Sequence, residues 1–197
     1  GYIMGNNKSN ETAYGHVTSE IPDFFKKPAP IINIKETKEY DVVVVGAGSP
    51  GVPCALAARE AGASVALLQK GSFIDARGNS GAGINLDKSD PADVERLVSQ
   101  LMAASDHRPK RELIEMWAKH SGVHWMMDRA LEGGAQIVDQ GNGPHKDLLE
   151  RNGYNIDFIT TFFGPKPYDT GDGMKALAKT AEKAGVEIFF ESPAVQL

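Results

Sequence analysis

Residues 42–51 limit the possible fold more than any other part of this sequence. Four consecutive valines, Val42 to Val45, run directly into the glycines Gly46, Gly48 and Gly51. An unbroken β-branched run is typical of a strand buried on both faces of a parallel sheet. Glycines spaced G-x-G-x-x-G between a strand and a helix are typical of a turn that holds a dinucleotide. The main domain is therefore predicted to begin with a nucleotide-binding strand, turn and helix.

Each glycine of this turn has its own physical role. The first permits the tight turn, the second lets a diphosphate approach the backbone, and the third lets the helix and the strand lie close together. The helix then directs unpaired N–H groups and a partial positive charge at the phosphates. Ser49 lies inside the turn and is counted among its cofactor-binding residues, whereas Pro50 removes one N–H donor. A plain turn that holds no ligand is the alternative.

Hydrophobic patterns on either side of the turn predict an α/β domain. A helix over residues 53–61 and a strand over residues 64–68 complete a β–α–β unit. Residues 172–190 return to helix and strand, and the strand over residues 185–190 is expected in the same sheet, with Val42 to Val45 at its centre. The prediction is a Rossmann-like, three-layer domain around a parallel sheet.

Two helices followed by hairpins and loops are predicted in the middle of the chain. Asp90 is a suitable N-cap for a helix over residues 91–104, and Gly133 with Gly134 would end a longer helix over residues 111–131. Residues 136–163 are interpreted as hairpins and loops. The apolar stripes that should face the core are Val94, Leu97, Val98 and Leu101, and later Met174, Leu177, Ala178 and Ala181.

Composition and charge exclude several classes of protein. The chain has 197 residues, is 41% hydrophobic and carries a net charge of -5 with its basic residues scattered, so nucleic acid is not an expected partner. No apolar run approaches the ~20 residues that span a bilayer. The first residues lack a signal-peptide pattern, and a trimmed exported protein would look the same. The sequence therefore leaves a cytoplasmic and an exported location both open.

The run from Tyr40 onward resembles the flavoprotein subunit family of fumarate reductase and succinate dehydrogenase, which includes soluble, often exported relatives. Three blocks of the sequence carry the resemblance, and they are "DVVVVGAGSPGVPCALAAREAGASVALLQK", "ARGNSGAGIN" and "GDGMKALAKTAEKAGVEIFFESPAVQL". The resemblance implies FAD as cofactor and hydride transfer to or from a small unsaturated or carboxylate-bearing substrate. It also implies a possible electron-donor protein as a partner.

The resemblance assigns cofactor contacts to all three blocks. The first would hold the diphosphate and the adenosine ribose, the second would wrap the phosphates and reach the isoalloxazine, and the third would meet the adenine. The implied residues are Gly46, Gly48, Gly51, Gln69 and Lys70, then Gly78, Asn79, Ser80, Ala82 and Gly83, and finally Ala194. Gln69 stands where the family has Glu, and Pro50 stands where the family has a small residue.

The residues themselves support parts of this assignment. Gln69 ends the second predicted strand about 20 residues after the glycines, where an acidic side chain usually holds the ribose hydroxyls. A neutral amide can accept one such bond without the charge-assisted geometry of a carboxylate. In the second block, Gly78, Gly81 and Gly83 are expected to leave backbone N–H groups accessible to phosphate, with Asn79 and Ser80 as side-chain donors. An ordinary surface loop is the alternative there.

The resemblance also implies a division of the chain. Residues 1–39 are expected to form an N-terminal arm on the domain surface, and residues 40–197 the N-terminal portion of an FAD-binding domain. The family's capping domain, the rest of its FAD domain and its catalytic residues lie in sequence beyond this stretch, so no catalytic residue is assigned. The alternatives are a non-catalytic nucleotide-binding module and an NAD(P)-dependent dehydrogenase domain.

A few other residues were candidates for chemistry. His120 and His124 have the i, i+4 spacing of a metal pair on one helix face, but no third ligand is evident, so no metal is predicted. Trp117 and Trp125 are interpreted as core anchors. Cys54 is the single cysteine and is expected to be a buried small hydrophobe.

Overall fold

The structure is a computed structural model that describes residues 11–12, 15–16, 26, 29–74, 76, 80–121, 125–163 and 171–195. The chain divides into two compact units, residues 39–194 and residues 1–38 with 195–197. In the smaller unit, strands β1 (Glu11–Thr12) and β2 (Gly15–His16) form an antiparallel pair.

The first sheet of the larger unit is parallel and has three strands in the described residues. They are β3 (Val42–Val45), β4 (Val65–Leu68) and β8 (Glu187–Phe189), in the order β3–β4–β8. The register places Val42 opposite Val65 and Ala66 opposite Glu187. The predictions of a β–α–β unit, of a parallel sheet and of a late strand returning to that sheet are therefore confirmed.

The predicted central position of Val42 to Val45 is wrong for the described sheet, because β4 lies between β3 and β8. The valines of β3 alternate between its two faces. Val42 and Val44 contact the core, whereas Val43 and Val45 are 53% and 54% exposed. An all-valine run has no alternation in its sequence, so its pattern cannot distinguish an edge strand from a central one.

Two helices cover the core face of the parallel sheet. Helix α1 (Gly51–Glu60) follows β3, and helix α6 (Asp172–Ala184) precedes β8. The predicted apolar stripe of α6 is buried, which confirms that helix face. Arg59 joins the two helices, because its Nε donates to the carbonyl of Ala184 at 2.8 Å and its Nη1 to that of Ala63 at 3.0 Å.

The second sheet is antiparallel and lies in the middle of the chain. Its strands are β5 (Ser80–Ile84), β6 (Ile137–Asp139) and β7 (Phe158–Phe163), in the order β5–β7–β6. Helix α5 (Lys146–Asn152) lies between β6 and β7 and ends at Gly153 in the left-handed conformation. The predicted hairpins and loops are therefore partly confirmed, since β6 and β7 do pair, but they enclose a helix that the sequence analysis missed.

Helix α2 (Pro91–Ala104) confirms its prediction. Asp90 Oδ1 accepts hydrogen bonds from the backbone N–H groups of Ala92 and Asp93 at 2.8 and 3.2 Å, as an N-cap does. The apolar face of α2 enters a second core with Ile84, Phe158 and residues of the next helix.

The predicted long helix over residues 111–131 is wrong, because two helices occupy this region. Helix α3 (Arg111–His120) ends at His120, and helix α4 (Trp125–Glu132) begins four residues later. Gly133 and Gly134 do follow the last helical residue, and Gly134 has a φ of +94°. Each segment keeps the same helical periodicity, so the sequence pattern does not reveal the break between them.

Helix α4 contacts both helices that cover the parallel sheet, α1 and α6. Glu60 of α1 receives two hydrogen bonds from the guanidinium of Arg129, at 2.5 and 2.9 Å, and one from the indole of Trp125 at 3.0 Å. The pKa of Glu60 lies below its ordinary value, mainly because of the hydrogen bond from Arg129. At its end, α4 lies so close to α6 that a Cβ on Gly133 would come within 1.8 Å of the carbonyl oxygen of Ala176.

Candidate cofactor site

The glycine turn after β3 is closed by backbone contacts. The N–H of Gly46 donates to the carbonyl of Leu68 at 2.8 Å, and Gly46 has a φ of +98°, which favours glycine. A Cβ on Gly51 would lie 1.8 Å from the carbonyl oxygen of Gly46. The turn and the first residue of α1 therefore touch backbone to backbone, at a distance that only glycine permits.

The N-terminus of α1 is open to an anion. Its N-cap is Pro50, no side chain makes a capping hydrogen bond there, and no acidic residue lies in the first turn. The first N–H groups of a helix have no partner within the helix, and the helix dipole adds partial positive charge at that end. By contrast, α2 fills the same position with the carboxylate of Asp90. Helix α1 therefore has the end that suits a diphosphate.

Gly48 is open where Gly51 is closed. A Cβ on Gly48 would meet only the Pro50 ring, at 3.8 Å, and its φ lies outside the left-handed region. Packing within the protein therefore does not require glycine at position 48. Close approach of a ligand to the backbone does explain it, as the G-x-G-x-x-G pattern predicts.

Gln69 lies behind the turn, and its side chain is engaged with the protein. Only 7% of this residue is exposed. Its Oε1 accepts from the N–H of Ala47 at 3.4 Å, and its Nε2 donates to the carbonyl of Phe73 at 3.0 Å. This arrangement differs from the expected contact with ribose hydroxyls. The buried amide joins the glycine turn to the segment after β4.

The ends of all three parallel strands meet at Gln69. Its backbone N–H donates to the carbonyl of Phe189, and its carbonyl accepts from the N–H of Ser192, at 2.8 and 2.9 Å. Of the other predicted residues, Lys70, Ala194 and Ser49 are exposed. The sequence-predicted residues of the first and third blocks are thus brought to one edge of the sheet.

The second predicted block forms a strand rather than an open loop. Gly78 and Asn79 lie outside the described residues, whereas Ser80, Ala82 and Gly83 belong to β5. On the outer edge of β5, the carbonyl of Ala82 accepts from the Trp117 indole at 3.3 Å, and the N–H of Ile84 donates to Ser121 Oγ at 3.1 Å.

This outer-edge pairing decides where the glycines of the block point. Alternation along an antiparallel pair turns the backbone of Gly81 and Gly83 towards β7, opposite Thr161 and Ile159. Their N–H groups therefore face a neighbouring strand, which differs from the expected accessibility to phosphate.

A cavity of about 320 Å³ opens beside this strand. We call it the tryptophan cavity, because Trp117 and Trp125 are the only tryptophans of the chain and both line it. The other lining residues are Gly81, Ala82, Gly83, His120, Ser121, Met126, Met127, Ile159 and Thr161. The two tryptophans are predicted from the sequence as core anchors, and the cavity between them is not predicted. The i, i+3 spacing of Trp117 and His120 on one helix face was the available signal.

The single cysteine of the chain lies on the surface of α1. Cys54 is exposed on α1, so the prediction that it is buried is wrong, because a helix of small residues does not show in its sequence which face meets the sheet.

The second of the predicted histidine pair, His124, lies outside the described residues. Within those residues, no group of three or more His, Cys, Asp or Glu side chains could hold a metal ion. Nor does any helix there have the length and apolar character to cross a bilayer.

A parallel sheet with a glycine turn and an uncapped helix at its strand ends defines a dinucleotide-binding protein. Residues 41–197 match the sequence model of the DAO family, described as FAD-dependent oxidoreductase. The chain therefore belongs to this family of FAD-dependent oxidoreductases, and FAD is its cofactor. This result decides for FAD over the NAD(P) alternative.

Individual relatives match the chain at low identity. A probable fumarate reductase of Shewanella frigidimarina is 26% identical over 216 residues, covering 91% of this chain and 34% of the relative. The chain thus spans about a third of the length of the curated relative that it matches.

Solved structures were also compared with the chain. The 3-ketosteroid-Δ4-(5α)-dehydrogenase of Rhodococcus jostii has a TM-score of 0.49 and 21% identity, with 77% of this chain and 38% of that chain covered. The L-amino acid deaminase of Proteus vulgaris has a TM-score of 0.34 and 18% identity, with 83% and 42% covered.

Proposed function

We propose that the edge formed by the three parallel strands holds the adenosine diphosphate half of FAD, with the diphosphate over the N-terminus of α1. The observation that carries the proposal is the contrast between Gly51 and Gly48. Protein packing requires glycine at position 51, whereas the space beside Gly48 is left open and gives a ligand room to approach the backbone. The uncapped, acid-free first turn of α1 supplies the matching charge.

The residues around the turn have different roles in this proposal. Gly46, Gly48, Ser49 and the first turn of α1 border the diphosphate. Gln69 holds the turn in place through its bond to the Ala47 N–H, and it acts on FAD through that turn. Lys70 and Ala194, on the exposed side of the same edge, are proposed to face the adenosine.

The second block is proposed to lie towards the ring end of FAD. Ala82 and Gly83 line the tryptophan cavity, and Ser80 lies in the same strand. Gly78 and Asn79 precede them in the chain. When bound, FAD supplies the hydride chemistry, and the protein orients it. The backbone groups of β5 are mostly paired, so we propose that this strand acts by its shape, through the absence of side chains at Gly81 and Gly83.

The reaction proposed for the parent protein is hydride transfer between FAD and a small unsaturated or carboxylate-bearing substrate. The relative from Shewanella frigidimarina, a probable fumarate reductase, supports it. In this proposal residues 1–39 form an arm and residues 40–197 are the N-terminal portion of the FAD domain. A capping domain, the rest of the FAD domain and the groups that deliver the proton come from further sequence, and a separate electron donor is a possible partner.

The variant Gly48→Asp tests the cofactor site. A carboxylate at this position should repel the diphosphate, yet it should favour the adjacent helix by about 0.3–1 kcal/mol through the helix dipole. We expect FAD affinity to fall at least ~100-fold while the free energy of unfolding stays equal or rises. Flavin retained after dialysis and the midpoint of urea unfolding measure the two effects.

Gly143→Asp is the matched control, because a Cβ on Gly143 meets nothing within 4 Å and this residue begins the short 3-10 helix before α5. It should bind FAD like the parent chain. Unchanged FAD retention by the folded Gly48→Asp variant would show that the diphosphate lies elsewhere.

A further inference from the structure

The tryptophan cavity has the wall chemistry of a site for an uncharged ring. Its volume of about 320 Å³ is at the lower end for small-molecule sites, enough for one or two fused rings. Among the described residues that line it, none is Lys, Arg, Asp or Glu. Among those described residues His120 is the one ionisable side chain, so an ionised carboxylate would meet at most a single imidazole there and would lose most of its hydration.

The two indoles contribute apolar surface, because their polar atoms are already bonded. The Trp117 Nε1 donates to the carbonyl of Ala82, and the Trp125 Nε1 donates to Glu60 Oε2. Met126 and Met127 add flexible thioether side chains, which adapt to flat apolar ligands. The walls therefore favour a flat, apolar ring over a polar or extended molecule.

One polar group in the wall is the hydroxyl of Thr161. Thr161 is only 5% exposed and lines the cavity, so its hydroxyl is a polar group that a ligand in the cavity can reach. The hydroxyl of this strand that is buried without a partner belongs to the neighbouring Thr160, which is not among the described lining residues. A hydroxyl can donate to a carbonyl or accept from another hydroxyl.

The polar groups of the cavity are too few for the flavin ring itself. The pyrimidine end of isoalloxazine carries several donors and acceptors that need partners when buried. The Ala82 carbonyl is taken by Trp117, and the backbones of Gly81 and Gly83 face β7. The side-chain polar groups of the described wall are those of Thr161, His120 and Ser121, and Ser121 Oγ already accepts from the N–H of Ile84, so a ligand with few polar groups matches this wall better.

We propose that the tryptophan cavity binds a neutral, largely apolar ring compound that carries a single carbonyl or hydroxyl group, bonded to Thr161. The cavity borders Ala82 and Gly83, which the proposed function places towards the ring end of FAD. On that proposed function, such a compound is the substrate class, and the unsaturated substrate is a cyclic one rather than a dicarboxylate. The binding itself does not depend on FAD.

The two tryptophans make the cavity directly measurable. Fluorescence of the 197-residue chain, corrected for absorption and with no FAD added, is titrated with α-tetralone, with tetralin carboxylate and with fumarate. We expect saturable quenching by α-tetralone and at least ~100-fold weaker binding of both anions, because the described lining residues include no Lys or Arg. Absence of FAD from this assay separates its outcome from that of the Gly48→Asp experiment.

Two variants locate the binding. Gly81→Leu should abolish the quenching, since a Cβ there meets only Thr161 Oγ1, at 4.0 Å, and the side chain would fill the cavity. Thr161→Val keeps the shape and removes the hydroxyl, so α-tetralone should bind about 2–10-fold more weakly. Circular dichroism checks that both variants are folded.

The inference is overturned if α-tetralone gives no saturable quenching, or if both folded variants bind it like the parent chain. Equal binding of tetralin carboxylate would also overturn it, because the wall would then tolerate charge. Lumiflavin is the last probe: tight binding of lumiflavin with no binding of α-tetralone would show that the cavity takes the flavin ring and would overturn the inference of a separate ligand.

Discussion

The chain contains two glycine-rich segments that look alike in the sequence and differ in the structure. In residues 46–51, glycine is required because the backbone of α1 touches the backbone of the turn. In residues 81–83, the glycines lie in a strand, and Gly81 has open space beside it. The first segment leads into a helix end without a side-chain cap, whereas the backbone groups of the second bond to the neighbouring strand and to side chains. The same residue type thus serves close packing in one place and empty volume in the other.

The largest expected effect comes from the same substitution made in both segments. Gly51→Val should destabilise the chain by about 3 kcal/mol or more and abolish FAD binding, because its Cβ would overlap the Gly46 carbonyl. Gly81→Val should change the free energy of unfolding by less than about 1 kcal/mol, since valine suits a strand and has room there. Urea unfolding measures both. Similar losses in the two variants would erase the distinction between the segments.

The next effect concerns the residue that supports the first segment. In Gln69→Glu, a carboxylate replaces the amide that donates to the Phe73 carbonyl, so a buried donor is lost and two oxygens face each other. We expect a loss of about 1–3 kcal/mol in the free energy of unfolding. Gln136→Glu, at an exposed position, is the control and should stay within about 0.5 kcal/mol. A more stable Gln69→Glu variant would mean that the side chain turns outward, towards the ribose position predicted from the sequence.

The smallest effect concerns the ion pair between α1 and α4. The pKa of Glu60 is lowered by its bonds to Arg129, so the stability from this pair is present above the ordinary value of 4.5 and is lost as the pH falls through the lowered pKa. At neutral pH, Glu60→Gln should cost about 0.5–1 kcal/mol, a modest value because the pair is partly exposed.

The pH dependence of this difference is the test. The gap between parent chain and Glu60→Gln should narrow below pH 4.5, as measured by urea unfolding across that range. Glu150→Gln removes an exposed pair with Lys146 and should show almost no gap at any pH. A gap that widens in acid would contradict the assignment of the lowered pKa to this contact.

The success of the sequence predictions follows from the range over which each signal acts. The turn at Gly46 to Gly51, the Asp90 cap and the stripe of α6 are local patterns, and all of them could be predicted. The edge position of β3 depends on strand order, which no local pattern encodes. Strand β5 was missed as a strand because glycine has low β propensity and is stabilised there by pairing with β7. The partners of Gln69 come from the turn and from Phe73, so their contact appears only in the folded chain.

The pairing of β4 with β8 has a consequence for how the protein is made. On the ribosome, β3, α1 and β4 emerge early, but the edge of β4 that receives β8 stays unpaired until all of the antiparallel sheet and α6 have been synthesised. An open apolar strand edge is a template for pairing with other chains. Nascent chains that pause before α6 would expose this edge for longest, which lengthens the time in which it can pair with another chain.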